Sequence, residues 1–191
     1  MGAVCLVVCG LVRDQGRKLQ PNLWESWSGS PTVRRLRWRD ASDVEGVRRL
    51  HARLNSILDE PLPGGAVEFA DPAAADRRYD EAVAVLRERT RDTNRFRLVF
   101  AENKEYGFRR NSLGLRPYAL AIAFIALGLS IAFVIHGNRD DSSTWTRWGV
   151  AGGISFACVL YWWFYVTSDW VRKAAELYAD RLIESIDTLR S

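Results

Sequence analysis

The chain has 191 residues with 27 Lys and Arg against 23 Asp and Glu, and is 48% hydrophobic and 12% aromatic. An apolar content near the globular average and a net charge of +4 exclude a disordered, collagen-like or disulfide-scaffold chain. The averages conceal a division: residues 13–116 are polar and Arg-rich, and two long apolar stretches follow. Residues 1–116 hold 21 basic and 16 acidic side chains, residues 169–191 hold four and five, and the stretch between has two of each. Only Lys18, Lys104 and Lys173 among the basic residues are Lys, a bias that points to a GC-rich bacterial genome.

Residues 1–20 open with the apolar run MGAVCLVVCGLV, too short to cross a bilayer and without a basic leader or small-residue cleavage site. This stretch reads either as an extended start or as a packed or peripheral segment. Cys5 and Cys9 lack the second ligand pair that a zinc site needs, so no metal or cofactor is expected.

Residues 21–116 read as a helical cytoplasmic module. Trp24 and Trp27 lie in a turn-rich stretch, and Leu36 and Trp38 then alternate with arginines, a period of two that predicts an edge strand or extended arm. Arg34, Arg35, Arg37 and Arg39 are candidate contacts to a lipid headgroup or other anion, because a guanidinium matches phosphate geometry. The plainer reading is a solvated basic face neutralised by Asp40, Asp43 and Glu45. Val44, Val47, Leu50, Leu54 and Leu58 predict a helix over 43–59, stopped by Pro61, Pro63, Gly64 and Gly65. A second helix, capped by Asp71 with Pro72 in its first turn, is expected to run to about Thr93 and to pair with the first through Tyr79, Val83 and Leu86. Leu98, Val99 and Phe100 open a third, short helix. His51 has no Cys or Ser arranged beside it and reads as a surface or capping residue, and Gly64-Gly65 lacks the rest of a phosphate loop. No constellation here calls for an enzyme.

Residues 117–136 predict a first membrane span, since Tyr118 to Ile135 is free of charge and long enough at ~27 Å for the hydrocarbon layer. Pro117 would sit harmlessly at its first helical position. Residues 148–168 predict a second span, with Trp145 and Trp148 at one end and Tyr161, Trp162, Trp163 and Tyr165 toward the other. Buried helices of a soluble core share this composition, yet the rest of the chain is too charged to wrap two of them. Residues 137–147, with Arg139, Asp140 and Asp141, form a short external loop, and the basic flanks on the other side place both termini in the cytoplasm of a plasma membrane. Ala119 and Ala123 on the first span and Gly149, Gly153 and Ala157 on the second are candidate helix-packing positions. Residues 169–191 continue the second span as an amphipathic helix, whose stripe of Val171, Ala175, Tyr178, Leu182, Ile186 and Leu189 is expected to dock on the chain's own helical pair.

The run Tyr106-Gly107-Phe108-Arg109-Arg110-Asn111 before the first span, together with Trp24-Glu25-Ser26-Trp27-Ser28-Gly29, resembles a group of bacterial two-span membrane proteins. That resemblance implies a topology and no activity. In the residues themselves, Tyr106 and Phe108 suit the headgroup level, Gly107 allows a turn, and Arg109 and Arg110 are candidate headgroup or carboxylate contacts.

The expectation is therefore an all-α membrane protein, a two-helix transmembrane hairpin with a small cytoplasmic module. Its partners would be the lipid bilayer, a second copy of the chain or a cytosolic protein, and nucleic acid is not expected. The leading function is non-enzymatic interaction or self-association, on the plan of membrane effectors in bacterial defence. The alternative is a membrane-anchored sensor of an anionic nucleotide or headgroup.

Overall fold

The computed structural model describes residues 2–136 and 142–190, with side chains from Cys9 onward apart from Ser142, Thr144 and Arg190. The expected loop residues Arg139, Asp140 and Asp141 lie outside them. Among the described residues every regular element is a helix. In order these are α1 (Gly2–Ser26), α2 (Pro31–Arg34), α3 (Val44–Asn55), α4 (Gly65–Ala70), α5 (Pro72–Arg89), α6 (Arg97–His136), α7 (Ser142–Leu160), a π turn (Tyr161–Tyr165) and α8 (Ser168–Arg190). Two compact units divide the chain: Met1–Leu19 with Gly107–Val171, and Gln20–Tyr106 with Arg172–Ser191.

In the second of these units, the helical module, local chemistry sets the helix starts. Asp43 accepts from the Gly46 amide at 2.9 Å to open α3, and Asp71 accepts from the Ala74 amide at 2.9 Å to open α5, with Pro72 in its first turn. Both helices stop short of their expected ends. Asn55 Oδ1 accepts from the Leu62 amide at 2.8 Å, which turns the chain after α3, and the Thr90 hydroxyl donates to the Leu86 carbonyl at 2.9 Å at the end of α5. The expected edge strand over 33–39 does not form. Ser30 caps the short helix α2, and Leu36 and Arg37 are both buried, so the chain shows no alternation of faces there.

The module's core joins Leu36, Leu54, Tyr79, Leu86, Leu182 and Ile186, with Tyr178 and Leu189 packed at its edge. The C-terminal stripe thus docks on the α3–α5 pair. Each fully buried Leu or Ile contributes roughly 1.5–3 kcal/mol by leaving water.

In the other unit, α6 and α7 pair antiparallel. Phe133 stacks on Trp148 at 4.1 Å, a Cβ on Gly152 would lie 3.4 Å from the Ser130 side chain, and Arg116 donates to the Trp163 carbonyl at 3.0 Å. Ala123, Ser130 and Val159 are buried along the contact. Of the expected packing positions only Ala123 lies fully within it: Ala119 is half-buried, Ala157 is exposed, and Gly149 and Gly153 look onto open space. The seam runs through Gly152 because neighbouring helical residues face about 100° apart, and small residues occur on more than one face of α7.

Two further expectations need correcting. Pro117 lies inside the continuous helix α6 rather than at a helix start; there it removes one backbone hydrogen bond and its ring crowds the carbonyl four residues earlier, and the helix runs on past it. One boundary between the compact units falls after Tyr106, inside α6. The C-terminal helix also does not simply continue the second apolar stretch. That stretch ends in the π turn, Val166 and Thr167 leave the helix, and Thr167 Oγ1 accepts from the Trp170 amide at 3.3 Å to start α8.

α6 is the one described helix long and apolar enough to cross a membrane, and its most apolar window is only 11% buried. The pair Trp145–Tyr165 and Ser168–Leu189, bent by 56°, meets the same criteria if taken as one span.

Candidate functional site

Helix α4 is inverted. Its sequence GAVEFA buries the charge and exposes the apolar residues: Glu68 is 1% exposed, whereas Val67 and Phe69 are 61% and 73% exposed. A buried carboxylate flanked by two solvent-facing apolar side chains is the informative departure from ordinary partitioning.

What holds Glu68 inside is a full set of donors. Its carboxylate accepts from the Trp38 amide at 2.8 Å, the Tyr79 hydroxyl at 2.7 Å, the Arg39 amide at 3.2 Å and the Arg39 guanidinium at 2.9 Å. Burial alone would raise its pKa, but these hydrogen bonds outweigh burial and hold the carboxyl below its usual range. Tyr79, buried and donating to that carboxylate, is pushed well up, first by burial and then by Glu68. The indole of Trp38 donates to the Pro63 carbonyl at 3.0 Å, which fixes the loop that leads into α4.

Asp76 of α5 gathers two arginines. Arg37 reaches it through Nε at 2.8 Å and Nη2 at 2.9 Å, and Arg39 through Nη2 at 2.7 Å. Arg37 also donates to the Ser28 carbonyl and to Asp40. Its guanidinium lies so close to Gly29 that a Cβ there would stand 2.7 Å from Nη2, and the φ of +120° at Gly29 independently favours glycine. Arg35 donates to Glu176 at 2.6 Å and to Asp180 at 2.9 Å on α8, and Arg34 lies 3.6 Å from Glu176. The arginine quartet is therefore not a free basic face. Its neutralising carboxylates are Glu68, Asp76, Glu176 and Asp180, with Asp40 the one partner drawn from the nearby acids that the sequence offered.

His51 is a core residue and not a surface or capping one. It is 5% exposed, its Nε2 donates to the Leu36 carbonyl at 2.7 Å, and it packs edge-on against Trp38 and Tyr79 at 4.9 and 5.7 Å. Burial depresses its pKa, and the hydrogen bond to Leu36 only partly opposes this.

Within the Tyr-Gly-Phe-Arg-Arg-Asn block the expected turn at Gly107 does not form. Tyr106 is buried and stacks parallel to Tyr178 at 6.4 Å, and Gly107 lies within α6, where no turn occurs. Arg109 sits 5.1 Å over the Trp170 ring and donates to the Trp170 carbonyl at 3.1 Å, while Arg110 donates to Asn111 at 3.3 Å. Phe108 stays exposed at the edge of Trp170.

A groove of about 490 Å³ opens on the module between Arg34, Arg35, Asp40, Asp43, Arg172 and Glu176. Its charges are mixed and largely matched to one another. Among the described residues no cluster of His, Cys, Asp and Glu could hold a metal ion. No protein-family profile, curated protein or solved structure matches the chain.

Proposed function

We propose that the chain is a non-enzymatic bacterial plasma-membrane protein. Its apolar hairpin anchors it in the bilayer, and its helical module presents Val67 and Phe69 to a protein partner or a second copy. The observation that carries the anchor is the exposure of α6: its apolar window is 11% buried, and Ile122, Ile125, Leu129 and Ile135 are each more than half exposed. A soluble core helix would cover such residues, and lipid covers them instead. Arg116 at the Trp163 carbonyl, with Tyr161, Trp163 and Tyr165 around the π turn, suits the headgroup layer, where aromatic rings and a cation are stable together. Basic flanks at Arg109, Arg110 and Arg116 set that end on the cytoplasmic side.

The interaction role rests on α4, where the four donors around Glu68 hold Val67 and Phe69 outward. An anion-sensing role would need guanidinium groups with spare charge, and Arg35, Arg37 and Arg39 each face carboxylates.

Extraction of bacterial membranes with alkaline carbonate and urea tests the anchor: retention in the pellet is expected, and release of the full chain refutes it. A Val67→Ser/Phe69→Ser variant should insert equally well but lose cross-linked species formed in cells. Unchanged cross-linking refutes the interaction surface. Copy-dependent depolarisation on induced expression would assign the effector role to the hairpin.

A further inference from the structure

We infer that Gly2–Val12 is a third membrane-contacting element, a half-length helix lying among the acyl chains of one leaflet beside α6. This rests on the membrane reading above and adds a part that composition assigns to no span.

The placement comes from a glycine crossing. A Cβ on Gly114 would stand 2.9 Å from the Gly16 nitrogen and 3.0 Å from the Gln15 carbonyl carbon, so α1 and α6 approach almost backbone to backbone. Gly16 in turn faces Asn111. The sense of the crossing follows from the unit to which both belong, because it takes α1 up to Leu19 and α6 from Gly107 onward. Walking toward the start of α1 and toward the end of α6 therefore leads into the same body, and the helices run antiparallel. With Gly16 beside Asn111 and Gly114, Val12 comes level with Pro117 and Tyr118, where the uncharged run of α6 begins.

The two apolar runs thus start at one depth. Gly2–Val12 is uncharged and rises ~16 Å, about half the hydrocarbon thickness. Arg13, Arg17 and Lys18 follow at once, on the level of Arg109, Arg110 and Arg116, as a collar for headgroup phosphates. Cys9 and Leu11 are exposed, Leu11 by 61%, so these two side chains are open to lipid, while Gly10 and Val12 are partly covered.

The test uses the full chain reconstituted in phosphatidylcholine and phosphatidylglycerol vesicles, with one nitroxide label at Cys9 (Cys5→Ser/Cys158→Ser) or at Cys158 (Cys5→Ser/Cys9→Ser). Both labels are expected to collide with oxygen in preference to a water-soluble nickel chelate. A Cys9 label that prefers nickel while Cys158 prefers oxygen overturns the half-span and leaves the anchor standing. Nickel preference at both sites overturns the anchor and the half-span together. Spin–spin broadening between copies at Cys9, with neither reagent reaching it, overturns the lipid contact in favour of a second copy. In the Cys9 background, Gly114→Leu should move the label into water, while in the Cys158 background it leaves the label in hydrocarbon. A Cys9 label that stays immersed in that variant overturns the crossing as what sets the depth.

Discussion

Replacing Glu68 by Ala should open the α4–α5 region without touching the rest of the chain. The substitution strips the acceptor from four hydrogen bonds. Arg39 keeps Asp76 at 2.7 Å, so its charge is still paired. The Trp38 and Arg39 amides, both in part-buried bonds, lose their partner, and the Tyr79 hydroxyl, on a side chain with no exposure, is left with the Pro63 carbonyl at 3.5 Å. A buried donor left unsatisfied costs about 1–3 kcal/mol and each part-buried amide costs less, so the three together cost ~4 kcal/mol. At 1.4 kcal/mol per factor of ten, that is about a thousandfold loss of amide protection over the segment 65–90. Hydrogen exchange of the full chain, read by mass spectrometry on peptides from α4 and α5, measures it directly. Glu60→Ala is the control, because Glu60 is exposed and its ion pair is with the partly exposed Arg78. Tyr79→Phe alone should cost ~1 kcal/mol, and added to Glu68→Ala it should cost less than that, since the orphaned hydroxyl is gone. An effect of Glu68→Ala within threefold of the Glu60→Ala control would refute the argument that this carboxylate holds α4 inverted.

Acidification should loosen the same region in two stages. His51 has a depressed folded pKa, so the opened state takes up the proton first and protection falls as pH drops below about 6.5; His51→Gln should flatten that limb of the exchange profile. Glu68 is also depressed, so its contribution is complete above the ordinary carboxylate range and is lost as pH falls through its lower folded value. Leu182→Ala should cost ~2–5 kcal/mol and release α8, visible as new exchange over residues 172–190, because Leu182 is fully buried against the module. Asp71→Ala should cost ~1 kcal/mol through the lost cap of α5, with exchange confined to its first turn.

Much of the secondary structure is legible residue by residue. Asp71 announces a helix start because a short carboxylate can reach an amide within its own turn, an event confined to four residues of chain. The apolar stripe ending in Leu182, Ile186 and Leu189 likewise announces a buried face, since helical spacing alone brings those residues to one side. The uncharged run after Pro117 marks a helix that water does not suit, for the same local reason.

The candidate site was hidden for the opposite reason. Arg35, Arg37 and Arg39 look like a basic face when only their chain neighbours are considered, but their main partners are Glu68, Asp76, Glu176 and Asp180, brought in from three other helices. Glu68, between Val67 and Phe69 in a run of only six helical residues, gives no periodicity from which its burial could be read. Its one available signal was the Pro-Gly loop on its N-terminal side, which requires some tie to a neighbouring element. Small residues on α6 and α7 showed that close helix contact was feasible; that Gly152 meets Ser130, and that Gly16 of α1 meets Gly114, depended on the rotation of each helix about its axis. Charge, length and capping act within a few residues and so belong to the sequence, whereas salt-bridge partners and helix seams join groups far apart along the chain, and only their packing in space decided them.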